Sequence, residues 1–156
     1  MKKTVMFLIA AATLMACSGD KCPFNYHGLP LTLTTEQMID SLQARGFAID
    51  STASDSGRNV VLSNPAERYR VLLAYNGNKI QAMQERHLLS TNDSTSKKWQ
   101  TLRDAFEQEL GAWPDCPMLK DNHKIANFDA TDGIISVILE NTYTPTLLVR
   151  YIPKAK

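Results

Sequence analysis

Apolar positions along the chain fall into two patterns, a period near 3.6 in two segments and short alternating or continuous runs elsewhere. Met38, Ile39 and Leu42 share one face at three- and four-residue spacing. Thr34 as N-cap puts Gln37 at the third helical position, the spacing of a capping box that satisfies free amides at the helix start. Glu36 in the first turn suits the helix dipole. Gly46 supplies a left-handed stop. A helix over about 35–45 follows. Trp99, Leu102, Phe106, Leu110 and Trp113 recur at three, four, four and three. They form a stripe roughly 100° wide, with Lys98, Arg103, Asp104, Glu107 and Gln108 lying away from it. Both tryptophans therefore read as core, on a second helix over about 96–112, which Trp113-Pro114 ends.

The rest reads as strands. Arg68 to Tyr75 and Asn78 to Glu85 flank Asn76-Gly77, a hairpin signal, because both central positions of such a turn need positive φ. A two-residue turn there sets Leu73 opposite Ile80, Val71 opposite Ala82 and Tyr69 opposite Gln84. One face is then Tyr69, Val71, Leu73, Tyr75, Ile80 and Ala82. The other carries Arg70, Leu72, Lys79, Gln81 and Glu85, and a one-residue slip would exchange faces. Gly28 to Leu33, holding Pro30, is an edge or entry strand. Short strands are expected at Phe47 to Ser51, Val60 to Leu62 and Lys124 to Phe128. Ile134 to Glu140 and Thr146 to Ile152, both nearly continuous in apolar residues, read as central strands joined by Asn141 to Pro145. Ser51 to Asn59, Ser90 to Lys98 and the stretch after Trp113 through Asn122 read as loops. Helix then meander occurs at 35–85 and 96–152, which points to a pseudo-repeat of α-β-β units without a residue-level repeat. The expected fold class is α+β, with two helices packed on one face of an antiparallel sheet.

Composition changes the picture little. Hydrophobic residues are 44% of 156, with 17 Lys plus Arg against 16 Asp plus Glu. That excludes wholesale disorder, and the balanced charge argues against a nucleic-acid partner. The amino terminus changes it more. Lys2 and Lys3 precede an apolar run of 11 residues, Val5 to Met15. A membrane span needs about 20 apolar residues, so the run fits a secretory signal instead. Its end, Leu14-Met15-Ala16-Cys17, resembles the lipobox of bacterial lipoproteins. The resemblance implies cleavage before Cys17, a diacylglyceryl group on the Cys17 thiol and acylation of the new amino terminus. Residues 1–16 are then a signal peptide, 17–23 a tether and 24–156 a single domain. Cleavage removes Lys2 and Lys3, so the formal charge passes from +1 to −1. Ser18 resembles outer-membrane-directed lipoproteins, and the single Asp20 leaves the leaflet open. The partner implied is the membrane, through the lipid anchor.

Phe24 to Phe47, with Phe-x3-Gly-Leu-Pro-Leu, a capped helix holding Leu42, and Arg-Gly-Phe, resembles the start of small uncharacterised lipoproteins common in Bacteroidetes. In them a meander follows, then a helix that begins with Trp and ends near Gly and Pro, an order matched here by Trp99, Gly111 and Pro114. The resemblance implies no activity.

With Cys17 lipidated, Cys22 and Cys116 remain. In an oxidising envelope two thiols suggest one disulfide, worth about 4–5 kcal/mol in the chain-entropy model. The competing reading is a reactive Cys116 aided by Asp115 and a distant histidine. No C-x-x-C pair supports redox chemistry. His27, His87 and His123 lack metal-ligand spacing and read as surface or structural. Asp115, Asp121, Asp129 and Asp132 read as solvated loop carboxylates, since their spacing does not match a calcium loop. No Gly-rich phosphate loop and no G-x-S-x-G are present. Arg68 and Arg70, on the solvent face opposite Tyr69, are candidates for an anion. No catalytic residue, metal or cofactor is assigned. The expected function is a lipid-anchored, non-enzymatic binding or assembly module that takes an envelope protein or glycan through residues such as Arg70 and Gln81. The alternatives are an envelope enzyme using Cys116 or the loop carboxylates, and an inhibitor of a secreted enzyme presenting a loop near 51–58 or 114–123.

Overall fold

The computed structural model describes residues 24–120, 122–141 and 144–154. Two short strands, β1 (Asn25–Tyr26) and β2 (Leu29–Pro30), form a small hairpin, followed by α1 (Thr35–Ala44). Four strands come next: β3 (Ala48–Ile49), β4 (Asn59–Ser63), β5 (Tyr69–Asn76) and β6 (Lys79–His87). Then come α2 (Asn92–Leu110) and four more, β7 (Asp115–Lys120), β8 (His123–Asp129), β9 (Gly133–Glu140) and β10 (Thr146–Pro153). These eight strands make one antiparallel sheet in the order β3-β4-β5-β6-β10-β9-β8-β7. Each meander is a run of neighbours, and β6 pairs with β10 where the two meet.

This corrects the expected architecture of two helices packed on one face of an antiparallel sheet. The fold is sheet-dominated, with helices of only 10 and 19 residues. Each helix is followed by four strands, so the α-β-β unit is also corrected. α2 lies against β8, β9 and β10. α1 is joined at the β5–β6 turn, where Thr34 bridges Lys79 and the Thr35 amide donates to the Asn78 carbonyl. The strand not expected, β7, lies at an edge and carries Pro117, whose missing N–H an edge strand tolerates.

Local signals placed α1 correctly. Thr34 and Gln37 form the capping box in both directions. α2 starts earlier than expected, because Thr91 and Ser94 form a second box inside a stretch that reads as polar loop. It also ends earlier. Leu110 is its last residue, and Gly111, at φ 59°, turns the chain away. Trp99 is buried and its indole N–H donates to the Val137 carbonyl at 3.0 Å. Leu102, Phe106 and Leu110 pack against the core. Trp113 does not. It is 86% exposed, which corrects its assignment to the core.

The β5–β6 hairpin forms, but its turn sits one residue later than expected. Asn76 pairs with Lys79, so Gly77 and Asn78 are the central residues, and only Gly77 takes positive φ. Past the turn Tyr75 pairs with Ile80 and Ala74 with Ala82, leaving Gln81 as an extra residue. This bulge shifts every later pair. Leu73 faces Met83, Val71 faces Glu85 and Tyr69 faces His87. Met83, Glu85 and His87 therefore point inward, and Glu85 is buried rather than on the solvent face. The inner face continues through Leu147, Val149 and Tyr151, then Ile135, Val137 and Leu139, then Ala126 and Phe128, all buried.

Gly133, at the start of β9, lies under the Phe24 ring. A Cβ there would sit 2.3 Å from Cζ of Phe24. Gly133→Ala is expected to destabilise the fold by roughly 2 kcal/mol through overpacking. Chemical denaturation checks this, and the penalty should shrink in a Phe24→Ala background.

Candidate functional site

The inward turn of β6 brings a carboxylate under the small β1–β2 hairpin. That hairpin reverses at His27-Gly28, with φ of 46° and 82°. His27 is the only non-glycine residue at positive φ among the described residues. Its cost is met by local bonds. The Gly28 amide donates to Asn25 Oδ1 at 2.8 Å, and Arg45, at the end of α1, donates to the His27 carbonyl at 3.1 Å. This conformation aims the imidazole at β6. His27 Nε2 lies 2.5 Å from Glu85 Oε1, and His87 Nε2 lies 3.2 Å from Glu85 Oε2.

Both carboxylate oxygens are thus engaged by imidazole nitrogens. An ionised Glu85 needs each Nε2 to carry a proton. The Glu85 and His87 side chains are 3% and 7% exposed, whereas His27 is 51% exposed, so solvent reaches the group through His27. Aromatic rings complete the surround. Tyr26 meets His27 edge-on at 4.7 Å and Tyr151 at 5.2 Å, and Tyr69 lies 5.3 Å from His87.

Burial pushes the Glu85 carboxyl up, but the hydrogen bonds and charge of His27 and His87 outweigh it and hold the group at about 2. The bond from Glu85 raises His27 above its ordinary value, against burial. Burial and then the Glu85 charge push Tyr26 upward, and the same two causes raise Tyr69 to about 12. The Tyr26 hydroxyl is buried beside Glu85 and Tyr69.

The half-exposed imidazole of His27 beside a buried carboxylate is an arrangement that can hold a proton. Among the described residues no hydrogen bond joins a hydroxyl or thiol to either imidazole, both Nε2 atoms face the carboxylate, and no group of three or more His, Cys, Asp or Glu is placed to hold a metal ion.

The other expected residues are dispersed. Cys17, Cys22 and Asp121 lie outside the described residues. Cys116, on β7, is half-buried and free among them, with its thiol 3.9 Å from the Pro114 carbonyl. No histidine joins it: His27 and His87 face Glu85, and His123 pairs with Lys120 at the far end of β7. Asp129 pairs with Lys154. Within the stretch 114–123, Asp115–Lys120 form a strand rather than a presented loop.

Arg68 and Arg70 are exposed, as expected. Arg70 stands directly opposite Arg86, also exposed, on the sheet face away from the core. Arg150, on the same face, donates from Nε and Nη2 to Gln84 Oε1 at 3.2 and 3.0 Å. Leu72, Leu148, Ile138 and Ile125 lie half-buried around them. Gln81, the bulge residue, is exposed. A hollow of about 510 Å³ at the end of β6, lined by Arg68, Leu88, Leu89, Ser90 and Ser94, holds no carboxylate or histidine.

No family model, curated protein or solved structure matches the chain.

The histidine–glutamate group escaped the sequence reading because its faces depend on the bulge. Two signals were present. Glu85 and His87 are two apart, so they share a face whichever way the strand turns, and His27-Gly28 is a dipeptide suited to positive φ.

The pH dependence of folding follows from the two shifted groups. Glu85 is lowered, so its stabilisation is complete above the ordinary 4.5 and is lost as pH falls toward about 2. His27 is raised, so its stabilisation is complete below the ordinary 6.5 and is lost as pH rises through the raised value. Stability from this group is therefore expected to plateau between 4.5 and 6.5. Glu85→Gln should cost roughly 3 kcal/mol there and flatten both flanks, as measured by denaturant midpoints across pH.

Proposed function

We propose that the protein is a lipid-anchored component of the cell envelope whose folded head is a docking module, and that the sheet face carrying Arg70, Arg86 and Arg150 receives the partner. The observation that carries this reading is the direct cross-strand opposition of Arg70 and Arg86 on a face that no described helix covers. Like charges opposite each other disfavour the free sheet. The Thr52 hydroxyl, and to a lesser degree Arg70, hold the Asp50 carboxyl below its ordinary range, and Arg86 has no ion pair among the described residues. A partner surface that brings carboxylates between the guanidiniums and apolar side chains onto Leu72 and Leu148 relieves the repulsion and buries area together. Such a surface belongs to an envelope protein. A neutral glycan would meet the hydrogen-bonding groups but not the charge.

The anchor in this reading is Cys17. The same compartment would join Cys22 to Cys116. In support, Phe24, two residues after Cys22, lies on Gly133 at the end of the sheet where β7 begins. An enzyme reading has the half-exposed imidazole of His27 in its favour, but the candidate thiol and loop carboxylates are not assembled with it.

Three measurements test the reading. Intact mass of the native protein should show cleavage before Cys17 and attached acyl chains, both absent in Cys17→Ser. Non-reducing peptide mapping should recover a Cys22–Cys116 pair. A photo-crosslinker at Leu148 in intact envelopes should give one discrete adduct, and the same group at exposed Gln108 none. Arg86→Glu should remove the adduct while stabilising the isolated fold by about 0.5 kcal/mol, since it pairs with Arg70. Equal labelling from both positions would overturn the docking face.

A further inference from the structure

We infer that the end of the sheet marked by Trp113 rests in the headgroup layer of a zwitterionic bilayer, an inference that depends on the lipid anchor proposed above.

The first ground is Trp113 itself. The four preceding members of its stripe are packed, but the helix stops at Leu110 and Gly111 directs the chain outward. Pro114 follows, so the helix cannot resume. The indole is left 86% exposed. Water is a poor environment for so large an apolar ring, whereas a membrane interface suits its apolar body and polar N–H.

The second ground is what shares that end. Asp115 pairs with Asn127, and Asp129, two residues further along β8, pairs with Ile134. Trp113 therefore lies level with the β8–β9 turn. Ile134 pairs with Ile152, and the two are 37% and 38% exposed. Among the described residues, three of the six large apolar side chains most open to solvent are thus at one end. Of the others, Leu88 and Leu119 lie toward the opposite end, and Ile49 is on the β3 edge.

The third ground is the chain. Phe24, the first described residue, has its ring on Gly133, in that same turn. Only residues 18–23 separate it from Cys17. At about 3.5 Å per residue, the seven steps from Cys17 to Phe24 span at most about 25 Å. An acylated Cys17 thus holds this end of the head within one tether length of the bilayer. At the effective concentration such a tether creates, three apolar side chains suffice for contact. The charges nearby choose the lipid. Among the described residues, Asp115, Asp129 and Asp132 share this end with Lys79, Arg150 and Lys154, so neither sign dominates. Nothing there draws an anionic surface, so the fit is to zwitterionic headgroups.

The acylated protein reconstituted in phosphatidylcholine vesicles with brominated chains provides the test. Trp99 is buried and stays out of reach of the bromines, so the difference between wild type and Trp113→Phe reports Trp113 alone. Its emission should shift to the blue and fall by roughly half relative to unbrominated vesicles. Replacing half the lipid with phosphatidylglycerol should leave the quenching unchanged. A protein that floats with the vesicles while Trp113 keeps the unquenched emission of a water-exposed indole overturns the contact and leaves the anchor intact. Stronger quenching on the anionic vesicles overturns the choice of lipid. A native protein without acyl chains that fails to float overturns both readings.

Discussion

Much of this structure depends on one surplus residue. Gln81 sits in β6 without a partner, and from that point every side chain on the strand exchanges faces. Without the bulge, Glu85 would point to solvent with Lys79 on a half-polar strand. With it, Met83 joins the core and Glu85 is carried beneath the β1–β2 hairpin. A buried carboxylate alone is costly, and the geometry offsets that cost at both oxygens. His87 comes from the same strand. His27 comes from the distant hairpin and reaches Glu85 by adopting a left-handed backbone conformation. The site thus ties the amino-terminal residues of the domain to the middle of the sheet.

The two faces of the sheet divide the labour. The inner face closes over apolar rows, with Trp99 spanning α2 and β9 through a hydrogen bond to Val137. Among the described residues the histidine–glutamate group is the buried charged cluster on that face, and it opens to water at His27. The outer face keeps arginines among half-buried leucines and isoleucines, with a like-charge pair that packing within this chain does not require. A core network that fixes the hairpin and an outer face that tolerates local repulsion are different solutions to different demands. The first serves folding. The second is intelligible as a surface shaped for something outside the chain.

Orientation links these parts. The chain enters the head beside the β8–β9 turn, and the exposed indole lies level with it. In the orientation proposed above the strands rise from the bilayer, and Arg70 and Arg86 stand further from the headgroups than Arg150.

Local chemistry in the sequence determined the elements that need no distant partner. Thr34 and Gln37 capped α1, Asn76-Gly77 marked a hairpin, and the spacing from Trp99 to Leu110 wrote the apolar stripe of α2. The lipobox-like Leu14 to Cys17 set an expectation about anchoring on the same local terms. Tertiary structure decided the rest. β7 became a strand despite Pro117 because it lies at an edge, where β8 supplies its ladder. Eight strands joined into one sheet because β6 found β10, a pairing no local pattern encodes. Trp113 left the core because the helix ended three residues before it. The histidine–glutamate group required a bulge, a left-handed turn and the contact of segments 58 residues apart. Local patterns fix how a segment folds when its own backbone bonds and neighbouring side chains dominate. Which face is buried, and what meets beneath it, depends on register and long-range pairing, and a shift of one residue is enough to reverse it.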